Sequence, residues 1–393
     1  MPEKISALCS PKRFLMGAGP SMVDPRVYEG MAQPIVSHLD PFLFQVTEDI
    51  RKHLAVAFGT KNEFTLAISG TGTAGMETSI TNFVSPGDKF LVFANGYFCD
   101  RICEIGRRQG ANVVRFDKPW GEVASDEEAR SAILRERPRV VAYVQAETST
   151  GVFQEGKALC DAAHEVEALV ISDVVTSLGC MPVEIDKTGI DIGFSCVQKG
   201  LACPPGLSPI TLSPRALEIL RARENDIRTF YFDLKLLDEY YKGGHRYHHT
   251  APITMFYALR EGLAVIAEEG IENRWERHRL GHRALVAGLE AMGLEMHVSD
   301  PAIRLPMLNT VRVPDGIDGT AVRARLRDEF SIEISGGFGD LASKIFRIGI
   351  MGVPAQRENI LRLLEGLEVS LRAEGYATHA SGTEAAEKVY ASA

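Results

Sequence analysis

None of the seven cysteines in this 393-residue chain stands in a CxxC pair, and their number is odd. A disulfide framework and a zinc site are therefore both unexpected. Cys99 and Cys103 are one helical turn apart, a spacing that does not by itself make a metal or redox site. No apolar run approaches the roughly 18 residues that a membrane span requires. The opening residues, Met1-Pro2-Glu3-Lys4-Ile5-Ser6, lack the charged-then-apolar pattern of a signal peptide. Surplus basic charge is missing too. Lysine and arginine number 43 against 52 aspartates and glutamates, a net charge of −9, which leaves no electrostatic footprint for nucleic acid or an anionic membrane. The basic stretch from Arg274 to Arg283 is interleaved with acids and reads as a solvated helix face, His278 and His282 included. There is no internal repeat and no low-complexity tract. These absences predict a cytoplasmic, reduced protein.

What is present suits a large core, since 45% of the residues are hydrophobic. The length exceeds the roughly 250–300 residues at which single cores stop growing, so more than one domain is expected. Residues 1–12 read as an extended arm. From Phe64 onward, strand-like runs alternate with helical periodicity: Phe64–Ser69, Phe90–Ala94, Val140–Val144, Leu169–Ser172, the run before Lys199, and Pro209–Leu212. This alternation predicts an α/β large domain over 13–270, with a mainly parallel sheet covered by helices on both faces. A helical pattern from Ile253 to Glu269 closes it, and beyond it helical patterns (Asn273 to Met292, 319–329, 355–373) mix with short strands at 309–313 and 346–350. That predicts a smaller α+β domain over 271–374. Residues 375–393 are small and polar and read as a tail.

Two apolar runs end in chemistry. Ala168-Leu-Val-Ile-Ser-Asp173 closes on a carboxylate, and the run from Ile190 closes on Gln198-Lys199, 26 residues later. The carboxyl ends of strands in an open α/β sheet face the ligand crevice, so one crevice receives an acid and an amine. A lysine that bonds an aldehyde, with an aspartate for a pyridinium nitrogen, is the pair that pyridoxal phosphate (PLP) requires. The plainer reading makes Lys199 a surface residue and Asp173 a helix cap. Ser69-Gly70-Thr71-Gly72-Thr73-Ala74-Gly75 lies between a strand and a helix, where backbone N–H groups attract anions. It is either a phosphate cradle or a tight turn, and it is not a P-loop. Phe98, after Ala94-Asn95-Gly96-Tyr97, either stacks on a flat ring or belongs to the core. Thr148, in Glu147-Thr148-Ser149-Thr150-Gly151, either bonds a ring substituent or caps a helix. Adjacent His248 and His249 would point apart on a strand and have no acidic ligand beside them, against a metal site. Arg347 is a charge inside an apolar strand, suited to a buried salt bridge or a carboxylate ligand.

In order along the chain, Ser69-Gly-Thr-Gly-Thr-Ala-Gly-Met-Glu77, Ala94-Asn-Gly-Tyr-Phe98, Glu147-Thr-Ser-Thr-Gly-Val152, Ser172-Asp-Val-Val-Thr-Ser-Leu-Gly179, Gln198-Lys199, Tyr247-His-His-Thr250 and Phe346-Arg-Ile-Gly349 resemble the class V aminotransferases. The likeness covers roughly residues 13–370 and is nearest to the alanine–glyoxylate (serine–pyruvate) group. It implies the type I fold of PLP-dependent transferases, with a mainly parallel seven-stranded sheet, and a homodimer with active sites shared between subunits. It implies that Lys199 carries PLP as a Schiff base and that Asp173 pairs with the ring nitrogen. Phe98 takes the stacking position, Val175 backs the other ring face, and Thr148 reaches the phenolic oxygen. Thr71, Gly72, Thr73 and Gln198 hold the phosphate, joined by Tyr247 and Thr250 from the neighbouring subunit. Arg347 grips the substrate carboxylate, and Gly19 lies in the stretch beside the substrate. The implied reaction is ping-pong transfer of an amino group from alanine or serine to glyoxylate or pyruvate.

Two departures bear on specificity. Where the family often reads Gly-Pro-Gly-Pro-Ser-Asn, this chain has Gly17-Ala18-Gly19-Pro20-Ser21-Met22, and Cys196-Val197 replaces a small Gly-Ser pair. A different small amino donor, or a PLP-dependent lyase or desulfurase, is the alternative. The second of these is disfavoured because Ser335-Gly336-Gly337-Phe338-Gly339 has no cysteine where a desulfurase would carry one. A PLP-free binding protein would have no reason to keep both Lys199 and Asp173.

Overall fold

A computed structural model describes residues 5, 7–241 and 246–393. Residues 1–4 and 6 of the expected arm, and the Lys242–His245 stretch, lie outside these residues. Seven strands form the main sheet: β1 (Phe64–Ser69), β2 (Lys89–Ala94), β3 (Asn112–Asp117), β4 (Val140–Val144), β5 (Leu169–Asp173), β6 (Ile192–Phe194) and β7 (Leu207–Leu212). Their order is β1-β7-β6-β5-β4-β2-β3, parallel throughout except for β7, which runs antiparallel to both neighbours. Strands β4 and β5 are buried along their whole length. Such strands read as continuous apolar runs rather than alternating ones because helices cover both faces.

One face carries α1 (Pro41–Phe58) and α6 (Ile253–Glu269), and the other α2 (Gly72–Phe83) and α3 (Tyr97–Gln109). Helix α1 has Pro41 in its first turn, and the Asp40 carboxylate accepts from Phe42 N at 2.8 Å. It buries Leu43, Val46, Ile50 and Leu54 at helical spacing and stops at Gly59 in the left-handed region (φ 64°). Strand β3 was not anticipated. It is an edge strand with its side chains largely outward, so burial did not mark it.

The C-terminal part has a three-stranded antiparallel sheet, β8 (Leu308–Arg312), β10 (Ile345–Gly349) and β9 (Ser335–Gly336) in that spatial order. Around it lie α7 (Ile271–Ala291), α8 (Gly319–Glu329) and α9 (Arg357–Ala373). Residues 14–15, expected with the large domain, pair instead with Ile332–Glu333, and Met16 O accepts from Gly349 N at 2.8 Å. The N-terminal segment thus crosses to the C-terminal part and brings Ala18 and Gly19 back to Lys199.

Two further expectations are corrected. The stretch 375–393 is not only a polar tail. Ser381 caps α10 (Gly382–Ala391), whose Gly382 and Ala386 are buried in the C-terminal core beside Met292. Small residues permit that close docking, and their smallness gave no apolar pattern to mark a helix. The α7 face is not solvated throughout either. Arg274, His278, Gly281, Leu285 and Leu289 form its buried stripe, with Arg274 and His278 essentially inaccessible. Charged residues occupied apolar positions of the repeat, so the pattern concealed a core face. Among the described residues no helix is long and apolar enough to cross a membrane.

Candidate active site

Lys199 and Asp173 meet in one crevice at the carboxyl ends of β5 and β6, with exposures of only 9% and 3%. Lys199 lies five residues past β6, in an irregular turn held by Ser21, whose N–H donates to Gln198 O at 2.9 Å and whose hydroxyl donates to Lys199 O at 2.8 Å. The side-chain nitrogen, Nζ, donates to Ala18 O. Gly19, at φ 106°, is confined by the Lys199 side chain, because a Cβ there would come within 2.8 Å of Nζ. Burial favours the neutral amine.

Asp173 Oδ1 accepts from Val175 N at 2.9 Å. Burial pushes its pKa up to about 7, the Val175 N–H opposes that, and the negative charge of Glu147 adds to it. A cationic partner placed beside this carboxyl reverses the desolvation penalty and draws it back to the ionised form.

The cradle follows β1. Thr71 is the N-cap of α2 and makes no side-chain cap bond, so the first-turn amides at Gly72 and Thr73 face the crevice without an intrahelical acceptor. Gly72 is required by closeness: a Cβ there would lie 3.0 Å from Cys196 Cβ and 3.5 Å from Val175 Cγ2. The Cys196 departure therefore packs against the cradle itself. The Gln198 side-chain oxygen is buried with no hydrogen-bond partner, a polar atom waiting for a donor. Arg101, which sequence reasoning missed, donates from Nη1 to Thr73 Oγ1 at 3.0 Å and lies 5.2 Å from the Phe98 ring centroid.

Across the crevice Arg347 is 5% exposed. The expected alternative of a salt bridge is not found, because no carboxylate of the described residues lies within 4.0 Å of it. Its Nε donates to Gly336 O at 2.6 Å, its Nη1 donates to Thr148 O at 3.3 Å, and its face rests 4.1 Å from the Phe338 ring centroid. Phe338 in turn stacks on Tyr97 at 4.7 Å and meets Phe98 edge-on at 6.4 Å. Burial lowers the guanidinium pKa to about 10, leaving it charged at neutral pH. A charged, oriented arginine with free N–H groups and no internal anion is a receptor for an external carboxylate. The Thr148 hydroxyl bonds Thr176 Oγ1 at 2.6 Å.

Tyr247 and Thr250 are not brought into the cradle of their own chain. Both are exposed, Tyr247 by 57%, with its ring 5.2 Å from that of His38. The intervening histidines do not sit on a strand, and they face one another, Nδ1 to Nδ1 at 2.8 Å. His248 Nε2 donates to Phe230 O at 3.1 Å, and His249 Nε2 accepts from Ser69 Oγ at 2.6 Å. One neutral tautomer on each ring satisfies every bond in this chain. Burial lowers the His249 pKa to about 4, consistent with that neutrality. Among the described residues no group of His, Cys, Asp and Glu is arranged to hold a metal.

The model of the aminotransferase class-V family matches residues 14–354. The chain belongs to the class-V aminotransferases. Alanine–glyoxylate aminotransferase of Oryctolagus cuniculus is 38% identical, over 93% of this chain and 94% of the relative. The crystal structure of alanine–glyoxylate aminotransferase from Nostoc superposes with TM-score 0.92 at 44% identity, covering 94% of this chain and 98% of that one. That of ureidoglycine–glyoxylate aminotransferase from Bacillus subtilis gives TM-score 0.96 at 39% identity, covering 98% and 100%. The chain is therefore a transaminase on the expected α/β fold.

Proposed function

We propose that this class-V aminotransferase is a cytoplasmic, PLP-dependent homodimer that transfers the amino group of a small amino acid, alanine or serine, to glyoxylate in a ping-pong cycle. The observation that carries the reading is the convergence of a buried amine, a buried carboxyl and an anion-free arginine on one crevice. The cofactor fits the residues present: amides at Gly72 and Thr73 without an intrahelical acceptor, and a cradle that a side chain at Gly72 would obstruct. When bound, PLP supplies an electron sink for the bond breaking at the substrate Cα.

The chain's own residues do the rest. Thr71, Gly72, Thr73 and Gln198 bind the phosphate through amides, hydroxyls and a carboxamide. Phe98 and Val175 hold the ring between them, and Thr148 orients its phenolic edge. Asp173 keeps a proton on the ring nitrogen. Lys199 Nζ, whose burial favours its neutral form, would serve as the base that takes the proton from the substrate Cα. Arg347 grips the substrate carboxylate bidentately and so orients the Cα–H bond. Gly19 and its neighbours close the site over Lys199. Exposed Tyr247 and Thr250 complete the phosphate site of a partner subunit, which accounts for aromatic side chains left in water at Phe230, Tyr231 and Tyr247.

Glyoxylate is favoured as acceptor because both groups of relatives above use it by name. A second reading, with ureidoglycine as donor, draws support from the near-complete superposition on the B. subtilis enzyme. A panel of alanine, serine and ureidoglycine against glyoxylate and pyruvate tests both. Amino transfer from alanine or serine to glyoxylate supports the first reading. Release of ammonia or sulfide without transfer would sink it.

A further inference from the structure

Helix α3 carries Phe98, yet it begins without a cap of its own. Its N-cap is Gly96, which has no side chain to offer. The missing cap comes from another part of the chain. Glu147 Oε2 accepts from Phe98 N at 3.2 Å and from Cys99 Sγ at 3.6 Å. Its Oε1 accepts from Ser149 N at 2.9 Å and from Ser149 Oγ at 2.7 Å, while Tyr97 N donates to that same hydroxyl oxygen at 3.0 Å. Gly96 cannot be a serine or asparagine cap, because even a Cβ would lie 2.5 Å from the Glu147 carboxyl carbon.

Glu147 is fully buried, and no lysine or arginine of the described residues lies within 4.0 Å of it. Burial raises the Glu147 pKa above the usual carboxylate range, opposed by the bonds from Ser149 and Phe98, and a small neutral cap would hold a helix end more cheaply than a buried carboxyl. The expense is intelligible if the carboxyl acts on the site. Its potential reaches Asp173, Lys199 and Arg347. The next residue, Thr148, gives its carbonyl to Arg347. One rigid loop thus sets both the stacking aromatic and the arginine.

We propose that Glu147 is a positioning residue for the cofactor ring: from the 147–149 loop it caps α3, fixes Phe98 over the crevice, and ties that placement to Arg347. The inference rests on the PLP reading above. Full-length Glu147→Gln keeps the shape but turns one acceptor into a donor facing N–H or S–H groups. It is expected to melt cooperatively without PLP, yet to bind PLP about tenfold more weakly, the weight of one hydrogen bond. It is also expected to show a diminished visible circular dichroism of the bound cofactor, since the ring is less firmly oriented. Wild-type PLP affinity and wild-type dichroism in this variant overturn the proposal. Should Glu147→Gln not fold, Ser149→Ala keeps the Glu147 carboxyl and removes only the hydroxyl link to Glu147 and Tyr97. A weakened dichroism there supports the proposal, and an unchanged one overturns it. A wild-type protein that yields no pyridoxyl-lysine after borohydride sinks the PLP reading and this inference together. A labelled wild type with unperturbed variants sinks this inference alone.

Discussion

Arg274 Nη2 donates to the carbonyl of Gly200, one residue beyond Lys199, at 2.8 Å. The same guanidinium donates from Nε to Gly179 O at 3.0 Å and from Nη1 to Glu269 at 2.8 Å. One turn along α7, His278 Nε2 accepts from Gly352 N at 2.9 Å, just past the strand that carries Arg347. A single helix thus anchors both the turn that carries Lys199 and the exit of the Arg347 strand. Because Arg274 spends its donors on two buried carbonyls and an acid, Arg274→Met should cost about 3 kcal/mol of stability. Urea titration reads that loss, and a change below about 0.5 kcal/mol, typical of surface sites, would show that the clamp contributes little.

The buried His278 makes stability depend on pH. Burial lowers its pKa to about 3, against roughly 6.5 in an unfolded chain. Between these values the unfolded state binds the extra proton, so this stabilisation is complete above pH 6.5 and is lost as pH falls toward 3. At 1.36 kcal/mol per unit, going from pH 7 to pH 5 should remove about 2 kcal/mol through this group. His278→Gln offers an acceptor to Gly352 without titrating. Its unfolding free energy should vary less over that interval than that of the parent, and an equal pH dependence would refute the assignment.

Lys199→Ala should fold normally, since it deletes a buried amine, and should lose multiple turnover. Borohydride treatment followed by mass spectrometry should place a pyridoxyl group on Lys199 of the parent and none on the variant. Appreciable multiple turnover by the variant would remove Lys199 from the chemistry.

Arg347→Lys substitutes a point charge for a planar fork. The KM for carboxylate donors should rise by roughly 10–100-fold, the worth of one to two charged hydrogen bonds, with PLP affinity unchanged. An unchanged KM for alanine would make the arginine purely structural.

Mixing Lys199→Ala with Tyr247→Ala protomers should restore part of the activity, because some hybrid sites then carry neither lesion. No recovery would argue that each site is built from one chain.

The strand runs ending in Asp173 and Lys199, the Gly-Thr loop at the start of α2 and the Arg347 strand were all legible as local patterns. Apolar runs, turn residues and an isolated charge are properties of neighbours in the chain. The role of Glu147 was not legible, because its bonds to α3 join residues 49 and 48 positions apart. Phe338 looked like one aromatic in a glycine-rich turn, and only folding lays it on Arg347. Arg274 and His278 were misread because helical spacing places a residue on a face without saying what covers that face.

By itself, then, the order of residues determined the alternation of strands and helices and the chemical kinds that end them, since hydrophobic period and turn chemistry act over a few positions. The tertiary structure alone decided which of those groups share a crevice, which charges lose water and which arginine is left without an anion. Desolvation and contact depend on what packs from elsewhere in the chain, and no local pattern records that.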